Sequence, residues 1–268
     1  MRPIGKRNLL GVLVDAVDYD HAVTFILDAA EQRRGFAVTA LAVHGVMTGV
    51  QDDIHRQRLN AFDLVTPDGQ PVRWALNLLH KTGLKDRVYG PTLTLKVCEA
   101  AAESGVPIYL YGSRQDVLDN MVANLTERFP GLVIAGAEPS KFRQTTAEEK
   151  REIAERIKAS GAKITFVGLG CPRQEVFAYE YRDLLSMPVI AVGAAFDYHA
   201  GLVSEPPDWI QGAGLQWLYR LVQNPRRLWR RYLLLNPVYT TLVFLHWAGL
   251  RKPDLRQPEQ SIPEVRYG

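Results

Sequence analysis

The acid best placed for chemistry is Asp68, within Phe62-Asp63-Leu64-Val65-Thr66-Pro67-Asp68-Gly69-Gln70-Pro71-Val72-Arg73-Trp74. A short apolar run, Phe62 to Thr66, meets Pro-Asp-Gly. That tripeptide is a strong turn signal, because Pro presets φ and Gly tolerates φ above zero. A helical pattern starts near Pro71, a residue type favoured in a first helical turn. Asp68 therefore stands between a strand and a helix, the edge at which open α/β sheets bind ligands. A carboxylate there can accept a proton from a hydroxyl. It can equally cap the helix.

Three more loops have the same character. Lys85 to Gly90 carries Arg87, whose planar fork suits a phosphate; a lone loop arginine is more often a solvated charge. Gly168-Leu169-Gly170-Cys171-Pro172 leads into Arg173 and Gln174 at a helix N-terminus, where N–H groups favour anions. An ordinary strand-to-helix turn would look the same. In Gly193 to Gly201, Asp197 and His199 can touch a sugar or ribose, or hold the loop together. Gly112-Ser113 ends another strand, and small residues at such edges let a ligand approach the backbone.

Other chemistries lack their signatures. No complete Gly-x-Gly-x-x-Gly or Walker pattern occurs, so neither a dinucleotide nor an ATP cofactor is expected. The six histidines, His21, His44, His55, His80, His199 and His246, form no pair at helical spacing, and no metal site is expected. Asp18-Tyr19-Asp20 matches an Asp-x-Asp metal pattern, but it leads into a helix, where Asp is a favoured cap. Cys98 and Cys171 are far apart and suggest a reducing compartment. Cys171 reads as a packing residue.

The elements that must position these loops alternate. Strands are expected at Leu9–Val14, Phe36–Ala42, Phe62–Thr66, Val106–Tyr111, Leu132–Ala135, Lys163–Val167 and Pro188–Val192. Helices are expected at Asp20–Arg33, Gly45–Asn60, Gln70–His80, Pro91–Ser104, from Gly112-Ser113 to Phe129, Thr146–Ser160 and Pro172–Leu185. The strands are nearly continuous apolar runs, as when both sheet faces are covered. The fold class is α/β, a doubly wound, mostly parallel Rossmann-like sheet over residues 1–205.

After Gly201 the composition changes. Trp209, Trp217, Trp229 and Trp247 lie here, with Arg220, Arg226, Arg227, Arg230 and Arg231 among them. Residues 206–252 hold seven bases and one acid, a net of +6 in a chain whose total is +3. Such an end suits an anionic membrane or nucleic acid. The 19 uncharged residues from Tyr232 to Leu250 approach the ~20 needed to span a bilayer. A basic, Trp-rich segment lying in the membrane interface fits better, with packed helices and a spanning helix as alternatives. The apolar run beside the arginines favours lipid over nucleic acid. Residues 253–268, with three prolines, are expected to be a disordered tail.

Together these stretches resemble the WecG/TagA/CpsF glycosyltransferases. The resemblance rests on Pro67-Asp68-Gly69-Gln70-Pro71-Val72, Arg87-Val88-Tyr89-Gly90, Val167 to Glu175, Gly193 to Gly201, and the tail from Trp209 to Arg231. It covers about residues 9 to 235. Leu41-Ala42-Val43-His44-Gly45-Val46-Met47 is closest to an exopolysaccharide branch that includes a xanthan-type glucosyltransferase. The resemblance implies inverting, metal-independent transfer from a UDP-sugar to an undecaprenyl-diphosphate-linked saccharide, at the cytoplasmic face of the bacterial inner membrane, by a peripheral protein. It maps the general base onto Asp68, the phosphate-contacting arginine onto Arg87 and the active-site glutamine onto Gln174. Many members carry Thr-x-Asn at the end of the second strand. Here Thr39 is kept and Leu41 replaces the Asn, which suggests a donor other than N-acetylmannosamine. A UDP-sugar-modifying enzyme and a non-catalytic membrane scaffold are the rival readings. Homo-oligomerisation is left open.

Overall fold

The computed structural model describes residues 5–253 and 261–268. The side chains of Asp208, Gln211, Arg227, Arg230 and Arg231 lie outside that description.

The chain opens with an antiparallel hairpin of β1 (Lys6–Leu9) and β2 (Val12–Asp15), not the single strand expected over Leu9 to Val14. Leu10 and Gly11 have φ of 58° and 95°, a turn geometry whose twist matches that of paired strands. The apolar run continues through this turn and conceals it. Then follow α1 (Tyr19–Glu31), β3 (Phe36–Leu41), α2 (Val43–Gln51), α3 (Asp53–Asn60), β4 (Leu64–Pro67) and α4 (Gln70–His80). Next come α5 (Gly90–Glu103), β5 (Ile108–Gly112), α6 (Gln115–Arg128), β6 (Ile134–Glu138) and α7 (Ala147–Ala159). The α/β body closes with β7 (Ile164–Gly168), α8 (Arg173–Leu185), β8 (Pro188–Ala191) and α9 (Gly193–His199).

Side-chain caps place several of these boundaries. Asp18 caps α1, accepting from the His21 N–H at 3.1 Å. This is the capping role, as opposed to metal binding, that its position favoured. The helix expected across Gly45 to Asn60 is broken at Asp52, whose carboxylate accepts the His55 N–H at 2.9 Å and starts α3. Thr146 and Glu149 form a reciprocal capping box on α7, which satisfies two otherwise unpaired donors.

Strands β3 to β8 form one six-stranded, all-parallel sheet in the order β4-β3-β8-β7-β5-β6. Neighbouring residues on each strand enter opposite layers. Ala37, Val65, Val167 and Val189 join one core; Val38, Leu64, Phe166 and Ile190 join the other. Both faces are thus covered, as continuous apolar strands require. At the edge strand β4, buried Asp15 accepts the Val65 N–H at 2.8 Å, so the hairpin covers a sheet edge that would otherwise be open.

Residues after Gly201 form α10 (Asp208–Gly212), α11 (Gln216–Gln223), α12 (Pro225–Trp229), a π-helical turn (Arg230–Leu234) and α13 (Leu235–Trp247). Helix α13 packs on the body through Tyr239 and Val243, and the Tyr239 hydroxyl donates to the Pro71 carbonyl at 3.1 Å. Among the described residues no helix is long and apolar enough to cross a membrane. Helix α13, which holds most of 232–250, has 13 residues against the ~20 that a span requires.

The expectation of a disordered tail needs correction for residues 261–268; residues 254–260 lie outside the described set. The Arg58 guanidinium donates to the Pro263 carbonyl at 2.8 Å. Glu180 accepts the Val265 N–H at 2.7 Å. Lys150 pairs with Glu264, and Tyr267 bridges to Gln144 and packs on the core. Prolines and low hydrophobicity suggested disorder, but backbone hydrogen bonds to buried charges hold this stretch instead.

Candidate active site

All the loops singled out above lie at the carboxyl edge of the sheet. There they surround a cavity of about 1040 Å³. Asp68, Arg87, Ser113, Gly168, Gly170, Arg173, Gln174 and Asp197 line it, and so does Arg220. Gly112 and Thr39 do not.

Asp68 follows β4 and precedes α4. Its backbone N–H is held by the Leu41 carbonyl at 3.2 Å. The helix starts at Gly69, with φ of 87° and no side-chain cap. Asp68 thus stands one residue before the cap position of α4. Its carboxylate faces the cavity, with Oδ2 3.4 Å from the Gly90 N–H. Arg87 is held beside it, since the Val88 N–H donates to the Pro67 carbonyl at 2.9 Å. Arg87 is not the solvated surface charge that a loop arginine usually is. It is 6% exposed, lies 4.3 Å over the Tyr89 ring and donates to the Gln216 side chain of α11.

Arg220 enters from α11. Its guanidinium lies 5.7 Å over the Tyr198 ring. Burial works against its charged form, yet the phenols of Tyr232, Tyr198 and Tyr89 and the Asp68 carboxylate together hold its pKa above the usual arginine value. Arg87 and Arg220 thus share one cavity with Asp68.

The opposite wall is built on glycine and Gln174. A side chain at Gly168 would collide with the Phe196 ring at 2.6 Å, and one at Gly193 with Gln174 Oε1 at 2.3 Å. That buried oxygen accepts the Gly170 and Gly193 N–H groups at 3.1 and 2.9 Å. Gln174 therefore ties the β7–α8 and β8–α9 loops together. Its amide donates to Glu175 Oε1 at 2.9 Å, and Thr39 donates to the same oxygen at 3.2 Å. Thr39 is fully buried, so it reaches the site only through Glu175. Gly112 is also behind the wall, where a side chain would meet the Gly168 carbonyl at 2.7 Å. Ser113, with φ of 57°, donates its N–H to that carbonyl at 2.9 Å. His199 donates from Nε2 to the Pro91 carbonyl, 3.0 Å away, and is a structural tie.

Glu175 is the residue that sequence reasoning passed over. Burial pushes its carboxyl above the ordinary glutamate range, against the opposing hydrogen bonds from Gln174, Cys171 and Thr39. Its side chain, the His55 imidazole and the Cys171 thiol place ligand atoms within 4.8 Å of one another. The expectation of no metal-ligand cluster did not see this trio, because α3 and the β7–α8 loop lie far apart in sequence. Burial lowers the His55 pKa to about 4. A neutral imidazole beside an acid biased toward its neutral form is a stable arrangement without an ion.

The helical segment 208–247 supplies the remaining wall through Gln216, Trp217, Leu228, Tyr232 and Asn236. Its outer side carries Trp209 at 70% exposure, Val222 at 73%, Trp247 at 55% and Leu250 at 75%. Trp229 and Arg226 are exposed there too. Arg227, Arg230 and Arg231 lie on this segment, with side chains outside the described set.

A cleft at the carboxyl edge, where Asp68 shares the wall with several arginines, is a setting for transfer of a group that leaves as an anion. Comparison with known proteins agrees. The family model "Glycosyl transferase WecG/TagA/CpsF family" matches residues 7–253. The chain belongs to this family. A relative from Bacillus spizizenii (strain ATCC 23059 / NRRL B-14472 / W23) is 32% identical over 234 residues, covering 87% of each chain. One from Bacillus subtilis (strain 168) is 28% identical over 232 residues, covering 86% of this chain and 87% of the relative. Both are named N-acetylglucosaminyldiphosphoundecaprenol N-acetyl-beta-D-mannosaminyltransferase. As a glycosyltransferase of this family, the protein places its family-matching segments around one cavity, and Asp68, Arg87 and Gln174 all line it.

Proposed function

We propose that this glycosyltransferase moves a sugar from a UDP-sugar to a saccharide carried on undecaprenyl diphosphate, with inversion and without a metal. One observation carries the reading. The Asp68 carboxylate lies at the cavity on the carboxyl edge of the sheet, with Arg87 and Arg220 lining the same space. Asp68 removes the proton from the acceptor hydroxyl as that oxygen attacks the anomeric carbon, from the face opposite UDP. The C–O bond to the diphosphate breaks, and its electron pair stays on UDP. Arg87 and Arg220 balance that charge, aided by N–H groups at the strand-edge turns. In a low-dielectric cleft such preorganised donors act more strongly than in water. Gln174 holds two of the turns in place and acts as a positioning residue. Arg173, exposed at the start of α8, and Asp197 on α9 line the same cavity and are assigned to the donor.

The relatives' names specify an N-acetylmannosamine donor and an N-acetylglucosamine-linked lipid acceptor. Here Leu41 lines the cavity where many members have Asn, so the proposed donor is a different UDP-sugar. The exposed apolar and basic side of residues 208–250 would rest on the anionic cytoplasmic leaflet, placing the cavity beside a lipid-borne acceptor.

The test is a transfer assay screening UDP-sugars against lipid-diphosphate acceptors. Asp68→Asn is expected to lower the rate ~10²–10⁴-fold. Near-full activity in that variant would remove Asp68 from the mechanism.

A further inference from the structure

A second cavity of about 300 Å³ adjoins the first. It shares Gln70, Arg87 and Tyr89 with the larger one and adds Tyr19, Asp86, Thr92 and Gly212. We propose that this smaller cavity binds the first sugar of the acceptor, a single pyranose joined to a diphosphate. The proposal rests on the transferase reading above.

Four observations converge on it. The first is size. The larger cavity can hold a nucleotide diphosphate and its sugar, whereas ~300 Å³, at the lower end of small-molecule sites, has room for one monosaccharide. The second is chemistry. Its wall offers a phenol, an amide, a carboxylate and a hydroxyl, from Tyr19, Gln70, Asp86 and Thr92. These are the partners that sugar hydroxyls require, and the Tyr89 side chain offers apolar surface beside them. The third is an unmet hydrogen bond. The Gln70 side-chain oxygen is buried and has no partner among the described residues. Such a buried acceptor costs about 1–3 kcal/mol unless something fills it. A sugar hydroxyl can donate to it.

The fourth is position. The Tyr19 hydroxyl accepts the Tyr89 N–H at 2.9 Å, and Asp68 Oδ2 lies 3.4 Å from the next amide, Gly90. Consecutive amides therefore fix the phenol of the small cavity beside the base of the large one. An acceptor ring seated there brings a hydroxyl to Asp68. Arg87, common to both walls, is placed between the donor's diphosphate and the acceptor's. Gly212 of α10 completes the lining of the small cavity.

The experiment uses the full-length protein and water-soluble, farnesyl-diphosphate-linked N-acetylglucosamine and glucose, titrated by calorimetry. Asp86→Asn keeps the backbone contact that Asp86 makes with the Arg87 N–H at 2.7 Å but loses the charge. Thr92→Val loses the hydroxyl together with its hydrogen bond to the Tyr19 phenol. Each is expected to weaken glycolipid binding about tenfold, the loss of one good hydrogen bond. UDP affinity should stay within about twofold, which also shows that the variants are folded. Unchanged glycolipid affinity in both variants would overturn the assignment. So would a loss of UDP affinity in its place, or a wild-type protein that binds neither glycolipid. A wild type that binds the glycolipid yet transfers nothing to it from any UDP-sugar removes the transferase reading and leaves the subsite intact.

Discussion

His55 is 2% exposed on α3, its Nε2 has no hydrogen-bond partner among the described residues, and burial lowers its pKa to about 4. The unfolded chain takes up that proton near pH 6.5 and the folded one does not. The neutral imidazole therefore contributes stability above pH 6.5 that is lost as pH falls toward 4, on the order of 3 kcal/mol in all. Glu175 acts in the opposite sense. Its raised pKa favours folding at low pH, and that contribution fades as pH rises above its unfolded value. His55→Gln should flatten the acid limb of a plot of urea midpoint against pH; an unchanged slope would show that His55 is not its source. Leu41→Asn tests the donor pocket. The ratio of kcat/KM for UDP-N-acetylmannosamine over the native donor should rise about tenfold or more, a shift of about 1.4 kcal/mol. The titratable and cationic residues facing the cavity were legible by type and place, because open α/β sheets bind ligands at the carboxyl ends of their strands. The work of Gln174, Glu175 and Thr39 was not, because it depends on loops that only the folded sheet brings together.

The β4–α4 junction decides where Asp68 points. Gly69 starts the helix with φ of 87°, and a side chain there would meet nothing nearer than Pro71 Cδ at 3.8 Å. Gly69→Ala therefore costs backbone strain rather than a clash, about 1–3 kcal/mol. It should lower the melting temperature by several degrees and reduce transfer more than donor affinity. A variant with normal melting and normal turnover would show that this turn does not aim the base. The alternating strands and helices were readable from apolar runs and Gly or Pro boundaries. The β1–β2 turn and the break at Asp52 were not, because apolar and helical residues continue through both. There a positive-φ pair and one carboxylate cap override the pattern.

Across the whole molecule, one side of the helical segment walls the cavity and the other exposes Trp209, Trp229, Phe244 and Trp247. Composition revealed the basic, indole-rich character of this segment but not which side packs inward, since that is settled by Tyr239 and Val243 meeting α2 and α4. Replacing Trp229 and Trp247 with Ser, and Arg226 with Glu, leaves those inward contacts in place. Flotation with anionic vesicles should then fall at least tenfold, as each basic residue near such a surface contributes about 1 kcal/mol. Undiminished flotation would mean that another face meets the membrane. The hold on residues 261–268 has a mechanical consequence. The helical segment leaves the body after α9, and the chain returns to it at Arg58, Lys150 and Glu180. Fastened on both sides, the segment is held over the cavity by attachments that lie far apart in the sequence.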